Sequence, residues 1–354
     1  MSLDLGLDVV SLTEQLCNIK SVSRSEQTIA DAIEAALASL EHLEVSRHGN
    51  SLVARTTLGH DERVVIAGHI DTVPLNDNLP VRNDGEFLHG LGTCDMKGGV
   101  AVALKLAAEV AAPNRDITFV FYECEEIEAE LNGLRLIAED HPELLQADFA
   151  ILMEPSNAVV EAGCQGTLRV EVRTRGERAH SARSWMGSNA IHGAADVLAR
   201  LNDYEPRTPV IDGLRYHEGL NAVLINGGVA TNVIPDECVV TVNHRFAPDR
   251  SEAEALSFLR EFFDGYELEV TDSAPGARPG LDRPAARAFL EQIGGEPQPK
   301  FGWTDVARFT ALDIPAVNYG PGDPVFAHKQ DEHVPLADIT RCEQTLRRWL
   351  GADA

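Results

Sequence analysis

Thiol pairs are missing from this chain: its six cysteines (Cys17, Cys94, Cys124, Cys164, Cys238, Cys342) lie far apart and form no C-x-x-C. That excludes a thiolate zinc site and argues against a disulfide framework, leaving single thiols in a reducing compartment. Positive charge is scarce, with 30 lysines and arginines against 56 acids and a net charge of −26. Such a surface repels phosphate backbones and anionic lipid, so neither nucleic acid nor membrane is an expected partner. The longest apolar run, Gly98–Ala112, is broken by Lys105 and Glu109 and is too short to span a bilayer. Met1–Asp8 carries no positively charged side chain and reads against a signal peptide. There is no G-x-S-x-G nucleophile elbow. Gly90–Gly99 lacks the third glycine of a dinucleotide fingerprint and the Gly-Lys-Ser/Thr ending of a phosphate loop. What remains is a globular protein of about two domains, expected in the cytoplasm.

Two S-x-x-E spacings, Ser11/Glu14 and Ser23/Glu26, predict capping boxes at the first two helices. From Arg63 to Met153, strand and helix signals alternate, which predicts an α/β domain with a mostly parallel central sheet flanked by helices. After about Gly166 the pattern changes to longer strands, Thr167–Thr174, Asn221–Asn226 and Glu237–Arg245, with helical segments near Ser188–Leu201 and Ser251–Phe263. An α+β unit over 167–274 is therefore read as inserted into a domain made of 1–166 and 275–354. The Pro- and Gly-rich stretch Ala274–Gly280 forms the return linker.

Chemistry collects where the apolar strands end. Val64–Ala67 runs into His69 and Asp71, and Ile117–Tyr122 into Glu123, Glu125 and Glu126. Phe149–Met153 leads to Glu154, and Ile314–Val317 leads on to His328, while Asp95 sits on the glycine-rich loop. In open α/β sheets ligands gather beyond the carboxyl ends of the strands, so these groups are expected to converge. Unpaired carboxylates meeting in one crevice would repel strongly, and a divalent cation is the natural compensation. Histidine and carboxylate donors without cysteine suit a catalytic zinc, and the inventory fits two cations. His69 and Asp71 stand two apart, the spacing at which a carboxylate can hold the far nitrogen of a metal-binding imidazole. As general base, Glu123, Glu128 and Glu130 compete with Glu125.

Taken together, Gly68–Pro74, Gly92–Gly99, Glu125-Glu126, Met153–Ser156 and Ala327-His328-x-x-Asp331-Glu332 resemble the motifs of the co-catalytic metallopeptidases, a family of deacetylases, aminoacylases, dipeptidases and desuccinylases. The resemblance implies two Zn2+ per subunit, with Co2+ able to substitute, and hydrolysis of an N-acyl amino acid. It pairs His69 and Glu154 on one metal and Glu126 and His328 on the other, with Asp95 bridging. It makes Glu125 the base and Asp71 its catalytic neighbour, and it makes 167–274 a lid that dimerises, so a homodimer is expected. Gly176–Arg183 resembles the lid motif whose histidine, here His180, steadies the oxyanion. Arg245, Asn232, Thr304 and Arg183 match positions that hold substrate, Thr304 within Gly302–Asp305. Gly163–Thr167 with His180–Gly187 is most similar to the actinobacterial desuccinylase branch. Deacetylase or dipeptidase activity, or a metal-binding module without catalysis, are the alternatives.

Overall fold

The computed structural model describes residues 3–352, which divide into two units. The first takes the residues up to Ala162, Gly280–Gln298 and the chain from Arg308 onward; the second takes Gly163–Pro279 and Pro299–Ala307. These limits differ from the sequence reading, which breaks at 166 and 275 and leaves 299–307 with the first unit. Local bonding accounts for the difference. Cys164 pairs with Ala277 in an antiparallel bridge, and its thiol lies 3.7 Å from the Thr304 carbonyl. Trp303 Nε1 donates to the Pro275 carbonyl, and Phe301 packs edge-on against His217.

In the first unit, apolar runs without alternation must be buried on both faces. Asp116–Tyr122 and Phe149–Leu152 are buried at every position, and Arg63–His69 at all but the first. They lie centrally in an eight-stranded sheet ordered Glu44–His48, Ser51–Arg55, Asp116–Tyr122, Arg63–His69, Phe149–Leu152, Ala316–Asn318, Glu161–Ala162, Gln298–Pro299. The four strands from Asp116–Tyr122 to Ala316–Asn318 run parallel, with antiparallel neighbours on both sides. The class is α/β, as expected, with a parallel centre in a mixed sheet. Helix Lys97–Glu109 packs on the central strand. Gly99 permits the close approach, since a Cβ there would collide with the Met153 carbonyl.

Neither expected capping box forms. The first helix is Val9–Asn18, and Asp8 caps it by accepting the N–H groups of Val10 and Ser11. An aspartate in the right place displaces the later serine, because it meets the orphan amides first. The second helix, Gln27–Leu37, has Glu26 at its N-cap position with no side-chain cap bond. A capping box does form at Ser251 and Glu254, ahead of helix Glu252–Phe262.

The second unit holds a four-stranded antiparallel sheet ordered Gly219–Gly227, Glu237–Phe246, Gly166–Arg175, Glu267–Ala274. Its inner face sets Leu168, Val170, Val172, Val240 and Val242 against helices Ala190–Asn202 and Glu252–Phe262. Its other face is charged, with Arg173 among Glu171, Glu237 and Glu269. Glu267–Ala274 is a mostly exposed edge strand, too weakly patterned to be read from sequence. All six cysteines are buried free thiols. Among the described residues, no helix is long and apolar enough to cross a membrane.

Candidate active site

Parallel pairing sets His69 beside Tyr122 and Ala67 beside Leu152. Three neighbouring strands therefore end at one edge, and their continuations carry His69 to Asp71, Glu123 to Glu126, and Glu154. Asp95 comes from the loop before helix Lys97–Glu109, and His328 from the loop after Pro324–Phe326. Donor atoms of His69, Asp95 and Glu154 lie within 4.8 Å of one another, as do those of Asp95, Glu126 and His328, and those of His69, Glu125 and Glu126. Asp95 is common to the first two groups. Its Oδ1 is 3.1 Å from His69 Nε2 and its Oδ2 is 3.3 Å from His328 Nε2, while Glu126 Oε1 is 2.9 Å from the same His328 nitrogen.

Supporting bonds hold these groups from behind. His69 Nδ1 is 3.1 Å from the Asp71 backbone carbonyl and 3.4 Å from its carboxylate. Both acceptors call for a proton on Nδ1, which leaves Nε2 as the donor toward a metal. Asp71 is fully buried; its Oδ1 accepts the N–H of Glu125 at 3.0 Å, and its Oδ2 accepts the N–H of Glu126 at 3.2 Å and the Ser23 hydroxyl at 2.7 Å. One carboxylate thus orients the imidazole on one side and the two glutamates on the other. Glu332 has no assigned role in the sequence reading. It is buried, and its Oε1 accepts the N–H groups of Cys94 and Asp95 at 3.0 and 3.1 Å. Its one sequence signal is the place four residues after His328.

Charge within the cluster is unevenly distributed. Burial works against a charged His69, but hydrogen bonds to Asp71 and Asp95 outweigh it and hold the ring well above its ordinary pKa. Hydrogen bonds to Asp95 and Glu126 raise His328 to about 10. Burial would raise Asp95, yet the two imidazoles hold it well below the usual carboxylate range. Burial pushes Glu332 up to about 7. A dication held by these donors would compete with the imidazole protons for the same nitrogen lone pairs.

The competing bases separate in space. Glu123 turns to Asn50, accepting from its backbone N–H at 2.7 Å and its side chain at 2.8 Å. Glu128 pairs with Arg24 on the surface, and Glu130 lies exposed in a short 3-10 turn. Glu125 is the one of the four that shares a donor group with His69 and Glu126. A further trio, Glu26, Glu123 and Cys124, also has donor atoms within 4.8 Å, but the Glu123 oxygens and Glu26 Oε1 already accept amide hydrogens.

The remaining candidates belong to the second unit. His180 ends the two-residue strand Ala179–His180, paired with Val233–Ile234, and Asn232 accepts the Ser181 N–H through its carbonyl. His180 Nδ1 accepts the Ala182 N–H at 3.1 Å, so a neutral ring carries its proton on Nε2. Arg183 is exposed on the 3-10 segment Ser181–Met186. Arg245 lies on strand Glu237–Phe246, and burial lowers its pKa, with Arg169 adding to the effect. Thr304 is buried, with Oγ1 unbonded, beside Cys164. Structure therefore groups His180 with Asn232 and Thr304 with Cys164, while Arg245 sits opposite Thr167 in the sheet.

The sequence profile of peptidase family M20/M25/M40 matches residues 65–352, a span that includes every residue from His69 to His328. A Mycobacterium tuberculosis protein provisionally named succinyl-diaminopimelate desuccinylase is 54% identical over 352 residues, covering 99% of each chain. The Corynebacterium glutamicum succinyl-diaminopimelate desuccinylase is 47% identical over 360 residues, covering 99% of this chain and 98% of its own. Among solved structures, a Staphylococcus aureus tripeptidase superposes with a TM-score of 0.80 at 22% identity, covering 99% and 98% of the two chains, which speaks for the fold alone. A profile match over most of the chain and relatives that cover it end to end lead to one assignment: the chain belongs to peptidase family M20/M25/M40.

Proposed function

We propose that this protein hydrolyses the amide bond of N-succinyl-LL-2,6-diaminopimelate, releasing succinate and LL-2,6-diaminopimelate, with two zinc ions that cobalt can replace. The observation that carries the reading is Asp95, which turns one carboxylate oxygen to each of two imidazoles, in a chain about half identical, end to end, to proteins of that name. Two histidine–carboxylate groups sharing one acid are the donor set of a paired dication site. His69, Asp95 and Glu154 would hold one ion, and Asp95, Glu126 and His328 the other. Ions held there would supply Lewis-acid polarisation of the scissile carbonyl and a lowered pKa for the attacking water.

The chain's own residues do the rest. Glu125 accepts the water's proton on its carboxylate and hands it to the departing nitrogen. Asp71 keeps the Glu125 and Glu126 amides in place while holding His69. His180 donates from Nε2 to the oxyanion, where charge appears only in the transition state. Arg245 pairs with a substrate carboxylate in bidentate fashion, and Arg183, Asn232 and Thr304 contribute further polar contacts. A cytoplasmic location belongs to the same reading, supported by six free thiols.

Purified zinc-loaded protein is expected to release succinate from this substrate at a kcat in the ordinary enzymatic range, about 1–10³ per second. Faster turnover of N-acetylornithine or of a dipeptide would replace the substrate assignment and leave the metal site standing.

The same proposal includes a homodimer through the second unit. Gly219–Gly227 is an edge strand, and Val223, Leu224 and Ile225 are half or more exposed on it, with Ile191 and Leu198 also exposed on the adjoining helix. An apolar edge strand of this length needs covering. Leu224→Asp is expected to shift the molar mass in light scattering from twice the chain mass to one chain mass. A variant that stays dimeric at micromolar concentration places the interface elsewhere.

A further inference from the structure

Ser23 and Glu26 have the spacing of a capping box and cap nothing, so their side chains are spent elsewhere. Ser23 Oγ donates to Asp71 Oδ2 at 2.7 Å, its N–H bonds the Thr72 carbonyl, and the Thr72 N–H returns to the Ser21 carbonyl. Ser21 Oγ reaches the Ile70 carbonyl at 2.7 Å. The segment 21–23 thus lies along 70–72 as a short parallel brace.

Glu26 works on the other side. Its carboxylate is fully buried, and Oε1 accepts the N–H of Arg24 at 3.0 Å and of Cys124 at 3.1 Å. Both of those residues have left-handed backbone, with φ of 73° and 57°, a conformation side-chain-bearing residues adopt only when held there. Glu26 Oε2 has no partner, so this carboxylate bears an uncompensated burial cost. Bonds at one oxygen alone, to two strained turns, are not what general core packing requires. Together with Asp71, the outcome is specific: three consecutive amides, Cys124, Glu125 and Glu126, each donate to a buried carboxylate oxygen.

We infer that Glu26 is a positioning residue for catalysis, one that aims Glu125 by holding the Cys124 N–H while Asp71 holds the next two. The inference rests on reading Glu125 as the base and Glu126 as a ligand. Small misplacements of a reacting group cost on the order of 10²-fold in rate.

The test compares Glu26→Met, which keeps bulk and removes the acceptor, with Glu26→Gln, which keeps an acceptor oxygen. In folded protein with two ions per chain, E26M is expected to lose about 10²-fold in kcat with KM within about threefold, while E26Q keeps a third or more of kcat. A metal-loaded E26M within threefold of wild type in kcat overturns the inference, as does an E26Q as impaired as E26M. Should E26M not fold, E26Q decides alone, and a loss beyond tenfold in kcat overturns it. Glu125→Gln in the same assay separates the two readings. An active E125Q removes the base assignment itself, whereas an inactive E125Q beside an unimpaired E26M removes only the role of Glu26.

Discussion

Glu125→Gln is expected to lower kcat by about 10⁴-fold while the folded state and two ions per chain persist, the upper end of what a positioned acid–base group contributes. Glutamine occupies the same volume, so the turn has no reason to move. The backbone N–H of residue 125 still donates to Asp71 Oδ1, and neither of the groups proposed to hold the ions, His69–Asp95–Glu154 or Asp95–Glu126–His328, includes position 125, which lies instead in the neighbouring group with His69 and Glu126. What the variant loses is the ability to accept a proton. Because the acid acts on the water and the leaving nitrogen and not on substrate affinity, KM should change little beside kcat. Steady-state succinate release with metal analysis on the same sample checks this. Turnover within tenfold of wild type would pass the role to another group, and Glu123 and Glu128 would first have to leave Asn50 and Arg24. The result also decides between an enzyme and a metal-holding module, since a module has no use for a base beside its ligands.

His69, Glu126, Glu154 and His328 are legible in the sequence because a parallel sheet delivers strand ends to one edge, and a strand's end can be read from where its apolar run stops. Asp95 is legible as an acid on a glycine-rich loop with no nucleotide signature. Ser23 and Glu26 are not. The S-x-x-E spacing suits a helix start equally well, and only contacts 48 and 98 residues away, to Asp71 and Cys124, reveal the actual partners. Glu332 is hidden for the same reason, since its bonds to the Cys94 and Asp95 amides span well over two hundred residues. The unit limits depend likewise on long-range bonds: Thr304 groups with Cys164, although 140 residues separate them in the chain. In each case the unread part is a polar group that looks local and bonds at a distance.

Asp95→Ala is expected to empty both proposed metal positions and to lower kcat/KM by more than about 10⁵-fold, a loss that is a fair share of a hydrolase's whole rate enhancement. Each oxygen of Asp95 faces a different imidazole, so no other single substitution removes a donor from both groups. The loss goes beyond two bonds. His69 is fully buried and would keep Asp71 as its carboxylate neighbour, while His328 would keep Glu126, leaving two half-built sites with less charge to hold a dication. Glu154→Ala provides the contrast: it takes a terminal donor from one group and leaves Asp95, Glu126 and His328 together, so one ion per chain stays bound. Elemental analysis after dialysis should therefore count two ions in the wild type, one in E154A and none in D95A. Were these acids merely paired with histidines for stability, D95A would lower the melting temperature yet leave the ion count where it stood, and the electrostatic reason for bringing them together would be lost.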